Sequence, residues 1–284
     1  MTGVASGPRR AGALVGDTVA TVVLGVGAVA LLLPLVWMLS TALKGSALVM
    51  LFPPRWIPHP ITLRPFFSAW KTMRFLRSLR NTVFLTVANV VGVELTASMA
   101  AFAFARLRFP GRDLLFLILL STLMLPATVL LIPTFIIFKD IHWLNTYLPL
   151  IVPSFLGGGA FNIFLMRQFF TGVSSEIFDA ARVDGCGYWA MYSRIMLPSA
   201  TPAMLIVFVF TFIATWNDFL GPLIYLNNSK LFTLTLQLQV FVGRHVVAWN
   251  DLMAGTLMVA IVPIIVFFLA QKNFTQGVVF TGIR

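Results

Sequence analysis

The sequence predicts an all-α integral membrane protein with six transmembrane helices. Of its 284 residues, 59% are hydrophobic and 10% are charged, whereas a typical soluble domain carries about 25% charged residues. The mean hydropathy is +0.93. Six apolar stretches reach the roughly 20 residues that a helix needs to cross the hydrocarbon core. The charged residues are concentrated between these stretches, which is typical of a multi-span chain.

The six spans are placed in the apolar stretches that lie between charged residues. The stretch between Asp17 and Lys44 has no charge, and the one between Arg80 and Arg106 has only Glu94. The first stretch is too long for a cleavable signal peptide, so we expect it to remain as a span. After a tail at 1–17, a single domain is predicted with spans at about 18–43, 81–105, 114–138, 146–166, 202–226 and 252–271. The apolar stretch 231–243 is short and partly alternating, which predicts an interfacial or re-entrant segment.

Proline and glycine interrupt several of these spans. Such residues are tolerated at membrane depth where neighbouring helices or cavity water satisfy the freed backbone groups. They favour a bundle that moves or encloses a path, although both residues are also common in ordinary membrane helices. The prolines concerned are Pro34, Pro126, Pro133, Pro149, Pro153, Pro222 and Pro263.

The composition excludes several functions. A net charge of +11 would suggest nucleic acid in a soluble protein, but here the basic residues flank apolar runs and indicate contact with membrane lipid instead. The single cysteine, Cys186, excludes an internal disulfide and a cysteine-built metal site. Three scattered histidines offer neither a metal motif nor a catalytic set, and no G-x-x-x-x-G-K-[ST] phosphate loop occurs. We therefore expect no catalytic residue, no metal and no cofactor bound by this chain itself.

The polar segment 171–200, between the fourth and fifth spans, predicts a helix–turn–helix outside the bilayer. Glu176 and Asp179 would lie in the first turns of its first helix, where carboxylates suit the helix dipole. Gly185 would end that helix. The second helical stretch is predicted to end before Pro198, because the residue before a proline disfavours helix.

This segment resembles the EAA loop of bacterial ABC-importer permeases, which reads E-A-A, three residues, G, nine residues, I-x-L-P. Asp179 replaces the glutamate, which keeps the charge but shortens its reach. The alternative is an ordinary surface hairpin. The matching positions are Asp179, Ala180, Ala181, Gly185, Ile195, Leu197 and Pro198.

Other motifs resemble the carbohydrate-uptake, maltose-type family, in its second-permease subgroup. They are Asn81 at the start of the second span, the loop 105–112 (ARLRFPGR), the motif 216–220 (WNDFL) and the tail after Gln276. The resemblance covers about residues 31–284.

The resemblance implies a permease bundle that pairs with a second, homologous permease. Two copies of a cytoplasmic ABC ATPase would bind ATP and Mg²⁺, and an extracytoplasmic solute-binding protein would deliver a sugar or sugar-like solute. The EAA helix of the family docks on the ATPase, which implies a cytoplasmic loop and two cytoplasmic termini in a bacterial inner membrane. Asp184, beside Gly185, is counted with the coupling residues. Two alternatives stay open: a permease for a glycerol-phosphate-type solute, and an ion-coupled secondary transporter.

Polar groups inside a span are costly and usually face the bundle interior. Trp216 has the ring face that a sugar needs, and Asp218 can accept hydrogen bonds from hydroxyl groups. Alternatively, Trp216 is an interfacial anchor, while its two neighbours hold the end of the fifth span. The candidate path residues are Asn89, Glu94, Asn162, Trp216, Asn217 and Asp218.

Four basic residues, Lys71, Arg74, Arg77 and Arg80, recur at every third position. The pattern predicts an amphipathic helix on the outer surface. Such a helix would anchor to anionic lipid headgroups. Alternatively, it would dock the solute-binding protein or attract an anionic substrate.

Overall fold

The computed structural model describes residues 11–243 and 247–279, with side chains for 18–243 and 247–271. Its regular structure is helical within these ranges, apart from one isolated antiparallel bridge between Val242 and Val247. Residues 1–10 of the predicted tail and the basic end at Arg284 lie outside the described residues, whereas 11–17 already belong to the first helix.

Fifteen α-helices are named in the described chain, and three 3-10 turns (122–124, 152–155 and 238–241) and a π-helix (192–196) connect some of them. In order, they are α1 (Ala11–Ala42), α2 (Ser46–Val49), α3 (Arg64–Thr72), α4 (Phe75–Arg106), α5 (Arg112–Ser121), α6 (Ala127–Asp140), α7 (Leu148–Ile151), α8 (Ala160–Gly172), α9 (Ser175–Val183), α10 (Tyr188–Met191), α11 (Leu197–Ser199), α12 (Thr201–Trp216), α13 (Leu220–Tyr225), α14 (Leu234–Gln237) and α15 (Trp249–Val279).

The helices confirm the all-α membrane fold. Four stretches are long and apolar enough to cross a bilayer on their own: Thr18–Ala42, Phe75–Arg106, Leu148–Gly172 and Trp249–Gln271. Two bent pairs raise the number in the described chain to six if each counts as one span: Arg112–Met124 with Ala127–Asp140, and Tyr188–Ser199 with Thr201–Trp216.

The structure changes three of the predicted spans. The third, 114–138, is two helices bent by 101°, because Pro126 lacks an N–H and keeps Leu125 extended, at ψ 119°. The second begins at Phe75 rather than at residue 81. The fifth does not run unbroken to residue 226, because α12 ends at Trp216 and three residues separate it from α13.

One surface prediction also changes. The basic residues 71–80 do not form one amphipathic helix: α3 ends at Thr72, and Arg74 takes a left-handed conformation (φ 48°) before α4 begins. The segment 231–243 contains the short helix α14 and a 3-10 turn, with Leu234 and Leu236 buried, and its interfacial or re-entrant placement stays a prediction.

The described chain divides into two compact units. The first consists of residues up to Ala69 together with Phe241–Leu257. In it, the Thr62 N–H donates to the Leu43 carbonyl at 3.0 Å, and the buried Lys44 ammonium lies 4.4 Å from the centre of the Trp37 ring.

The second unit, Trp70–Val240 with the chain from Met258 onward, is built around α4. Helices α8 and α12 both pack along α4 and also contact each other. One close approach lies at Gly158, before α8, where φ is +68° and an added Cβ would lie 2.8 Å from both the Ala97 Cβ and the Val93 carbonyl oxygen of α4. Only glycine fits this contact.

We predict that Gly158→Ala lowers the melting temperature of the purified protein more than Gly159→Ala does. Both positions have positive φ, but a Cβ at Gly159 would meet nothing nearer than 3.7 Å. Gly159, at φ 86° and ψ 139°, lies in a region that only glycine readily adopts, so alanine there serves as a stringent reference for backbone strain. A larger loss at Gly158 would therefore come from the collision with α4, typically about 1–3 kcal/mol for an overpacked site. A smaller loss at Gly158 than at Gly159 would contradict the prediction.

Candidate functional site

The segment between α8 and α12 folds as the predicted helical hairpin. Its first arm, α9, is capped by the Ser174 hydroxyl, which accepts from the Glu176 N–H at 3.2 Å. At the other end, the Gly185 N–H donates to Arg182 (3.0 Å) and the Cys186 N–H to Ala181 (2.9 Å). This pair of bonds is a Schellman motif, and Gly185 supplies its left-handed residue at φ +77°. The turn is therefore fixed by local chemistry.

The two faces of α9 differ. Phe178 and Ala181 are buried against the bundle, while Asp179, Ala180 and Asp184 are exposed. The small side chain of Ala181 lets α9 pack closely on its own bundle. Val183 is 88% exposed and Ile177 is 48% exposed, which leaves an apolar outer face.

The second arm runs from Tyr188 to Ser199 and passes through a π-helix at 192–196. The prediction that it stops before Pro198 is wrong. Pro198 lies in the first turn of α11, where the missing N–H is tolerated. Ile195 and Leu197 pack against the core, whereas Pro198 is exposed.

Arg106, the last residue of α4, fixes the base of this hairpin. Its guanidinium donates to the Phe170 carbonyl at 2.5 Å and also to the Val173 carbonyl. It lies 4.5 Å from the ring centre of Phe178 on α9. The carbonyls at the end of α8 carry the negative end of the helix dipole, so a cation suits them.

A second contact ties the other arm to α4. The hydroxyl groups of Ser98 and Tyr192 are 2.7 Å apart and buried, and the Tyr192 ring lies 5.4 Å from that of Phe102. Both arms of the hairpin are therefore attached to the same helix, and a movement of the hairpin must act on α4.

Further along α4, a small, partly open cavity of about 230 Å³, called the polar cavity below, is lined by residues of α4, α12 and the segments around them. Asn89 and Asp218 both line it, together with Thr215 and Thr233. Asp218 also accepts a hydrogen bond from the Gly221 N–H at 3.0 Å, so it caps α13 as well. Asn89 uses its amide N–H to reach the Leu85 carbonyl at 2.9 Å, which leaves its carbonyl oxygen free to accept.

The other predicted path residues lie elsewhere. Trp216 is 1% exposed, stacks on Phe212 and donates to the Val259 carbonyl at 3.2 Å, so it packs the core rather than offering a ring face. Asn217 is exposed and donates to the Ile213 carbonyl at 3.0 Å, closing the end of α12. Asn162 donates to the Gly158 carbonyl at 2.8 Å. None of the three lines the cavity.

Glu94 also lies outside this cavity. Both of its carboxylate oxygens are buried without a hydrogen-bond partner in the described chain. An unpaired carboxylate is costly to bury, so this group marks a place where the single chain leaves a polar requirement unmet.

Sequence reasoning missed Arg106 and Tyr192 as parts of the site. The sequence indicates Arg106 only as the charge that ends the second span and as part of the loop 105–112. Nothing in the sequence distinguishes Tyr192, because its partner Ser98 lies 94 positions away.

Comparison with known proteins decides the family. A family model described as "Binding-protein-dependent transport system inner membrane component" matches residues 95–279, which is more than half of the chain. The chain belongs to this family. It is therefore a permease component of a binding-protein-dependent ABC transporter, and it resides in the inner membrane.

Relatives agree with this family. The arabinooligosaccharides transport system permease protein of Halalkalibacterium halodurans is 30% identical over 246 residues, which cover 86% of each chain. The sn-glycerol-3-phosphate transport system permease protein of Shigella flexneri is 30% identical over 261 residues, covering 89% of this chain and 92% of that one. Among solved structures, a bacterial ABC transporter involved in import of the acidic polysaccharide alginate has the same fold, with a TM-score of 0.81 and 24% identity over 95% of this chain and 100% of that chain.

We predict that Arg106→Lys increases the rate at which a maleimide labels Cys186 several-fold. Lysine keeps the charge but cannot donate to two carbonyls and stack on Phe178 together, so the permease hairpin should loosen. Cys186 is the only thiol and packs partly against the core. The matched control is Arg108→Lys, because Arg108 is exposed. Equal labelling rates in both variants would show that Arg106 does not hold the base of the hairpin.

Proposed function

We propose that this chain is one of two permease subunits of an ATP-driven importer for a sugar or sugar-like solute. It pairs with a second, homologous permease. Two copies of a separate cytoplasmic ATPase bind ATP and Mg²⁺ and perform the hydrolysis, and an extracytoplasmic binding protein delivers the solute. One observation carries the proposal: α4 lines a polar cavity at Asn89 and is attached to both arms of the hairpin at Ser98 and Arg106.

The spacing along α4 suits transmission of movement. At 1.5 Å per residue, Ser98 lies about 14 Å and Arg106 about 26 Å from Asn89 along the helix axis. An α-helix that is hydrogen-bonded throughout moves as a rigid rod over this length. A shift of the hairpin would therefore reach the cavity without a chain of intermediate side-chain movements.

The outer face of the hairpin is the proposed ATPase-docking surface. Its apolar side chains are largely exposed within the described chain, and Trp189 is 67% exposed. The exposed carboxylates of Glu176, Asp179 and Asp184 lie on the same hairpin as the exposed Arg182, so an ATPase surface with complementary charges could pair with them. We propose that Asp179, Ala180, Asp184, Gly185 and Pro198 contact or shape this surface. The residues that support this surface by packing against the core are Ala181, Ile195 and Leu197.

The cavity between Asn89 and Asp218 is proposed as this chain's part of the solute path. Its polar groups fit hydroxyl groups of a sugar: the Asp218 carboxylate and the Asn89 carbonyl oxygen accept, and Thr215 can donate. Ligand cavities usually measure about 300–1,000 Å³, and this one is about 230 Å³. We propose that the second permease supplies the rest of the wall, and that Glu94 obtains its polar partner in the same assembly.

The solute class rests on the names of the relatives. An arabinooligosaccharide permease and a glycerol-3-phosphate permease are equally similar to this chain, at 30% identity each. The second name favours a glycerol-phosphate-type solute as the alternative candidate. Membership of a binding-protein-dependent family favours ATP-driven uptake over an ion gradient. It also favours an orientation with the hairpin and both termini in the cytoplasm.

We predict that Asp218→Ala raises the half-saturating solute concentration about ten- to hundred-fold in vesicles containing the purified transporter. A charged hydrogen bond contributes about 1.5–3 kcal/mol, and each 1.4 kcal/mol is tenfold. Uptake is measured separately for arabinooligosaccharide and for glycerol 3-phosphate, each supplied with a binding protein that binds it. The solute that the vesicles take up identifies the solute class.

The control is Asp218→Asn, which keeps an acceptor for the Gly221 N–H but loses the charge. If Asp218 only caps α13, the alanine variant should assemble poorly yet keep normal half-saturation. The asparagine variant should then resemble the wild type. That pattern would remove Asp218 from the solute path.

We predict that Gly185→Val uncouples ATP hydrolysis from uptake, measured together on one preparation. Valine strongly disfavours the positive φ of this turn, so the hairpin should present a distorted docking face. Gly187→Val is the matched control, because Gly187 has φ −70° and the same open surroundings. Equal effects of both substitutions would show that the turn conformation is not what transmits the movement.

A further inference from the structure

The start of α4 forms a groove unrelated to the hairpin and the polar cavity. It has a volume of about 1070 Å³ and lies between the end of α3 and the first turns of α4. Its walls are mainly apolar and include Trp70, Leu76, Leu79 and Val83. Trp70 is 49% exposed and stacks on the buried Phe75 with ring centres 4.7 Å apart.

Four cations border this groove: Lys71, Arg74, Arg77 and Arg80. All four side chains are exposed, and none forms an ion pair within the part of the chain that the structure describes. The sequence has no acidic residue between Asp17 and Glu94. The positive charge of the groove is therefore not balanced from its own segment.

The helix increases this imbalance. Arg77 and Arg80 lie in the first two turns of α4, and Arg74 directly precedes it in a left-handed conformation. The first turn of α4 has no acidic residue. A helix N-terminus carries partial positive charge, so cations there are unfavourable unless an anion is close. The groove thus combines cations that have no carboxylate partner in the described chain with the positive end of a helix, and both features favour a bound phosphate.

We propose that this groove binds an anionic phospholipid, with the phosphate among the four cations and an acyl chain along the apolar wall. The groove lies at one end of the candidate span Phe75–Arg106, which is where a lipid headgroup meets its chains. A free phosphate or a small anionic solute would use the cations but not the apolar wall. This proposal is independent of the solute path, because neither Asn89 nor Asp218 borders the groove.

The fluorescence of Trp70 can report whether a lipid occupies the groove. The intact transporter is reconstituted in phosphatidylcholine vesicles that contain a small, equal fraction of either brominated phosphatidylglycerol or brominated phosphatidylcholine. Bromine quenches tryptophan fluorescence on contact. Because the chain has seven tryptophans, the signal of Trp70 is obtained as the difference between the wild type and Trp70→Phe. Phenylalanine keeps an aromatic ring beside Phe75.

We expect stronger quenching of Trp70 by brominated phosphatidylglycerol than by brominated phosphatidylcholine. Arg77→Gln with Arg80→Gln should weaken binding of the anionic lipid about thirty-fold, which is about 2 kcal/mol for two basic residues near a lipid surface. Arg55→Gln with Arg108→Gln is the matched control, since both arginines are exposed and lie outside the groove. Arg77→Lys with Arg80→Lys should retain the preference, because lysine keeps the positive charge.

Four results would overturn the proposal. Equal quenching by both lipids would indicate a groove without charge selection, and an equal loss in the control pair would indicate a general surface effect. Displacement of the brominated lipid by soluble glycerol 3-phosphate at a similar concentration would indicate a site for free phosphate. Loss of Trp70 quenching when the binding protein is added would indicate that an acidic protein surface occupies the groove.

Discussion

The guanidinium of Arg106 is the contact on which the rest of the site depends. It lies where three elements meet: it ends α4, it satisfies carbonyl groups at the end of α8, and it stacks on Phe178 of the hairpin. The planar guanidinium can donate in two directions while its face stays against a ring, which an ammonium cannot do. Without this group, the carbonyls at the end of α8 would lose their charged donor, and the hairpin would lose this contact with α4.

This anchor explains why the hairpin has two different faces. The inner face is closed by Phe178, Ala181 and Tyr192, which belong to the same hydrophobic cluster as Ala97 and Phe102 of α4. The outer face, which includes Ile177 and Val183, is exposed within the described chain. On the function proposed above, a push on this outer face would pass through the hairpin to α4 and along α4 towards the polar cavity.

The sequence predicted the parts of this arrangement that depend on local chemistry. The turn at Gly185 follows from residues within one hairpin, and the apolar spans follow from composition alone. It did not predict the burial of Trp216, the inward side of Ala181 or the Ser98–Tyr192 bond, because each depends on a partner far along the chain. The bend at Pro126 could have been placed from the proline itself, but its 101° angle depends on how the two halves pack.

The arginines at the two ends of α4 lie in opposite electrostatic environments. At the C-terminal end, Arg106 faces the negative end of helix dipoles and free carbonyl groups, so the protein itself stabilises the cation. At the N-terminal end, Arg74, Arg77 and Arg80 face the positive end of the same helix, and the described chain offers them no carboxylate. A membrane surface rich in phosphate can supply what the fold lacks there. The helix that connects the hairpin to the polar cavity is thus fixed by protein at one end and, on our proposal, by lipid at the other.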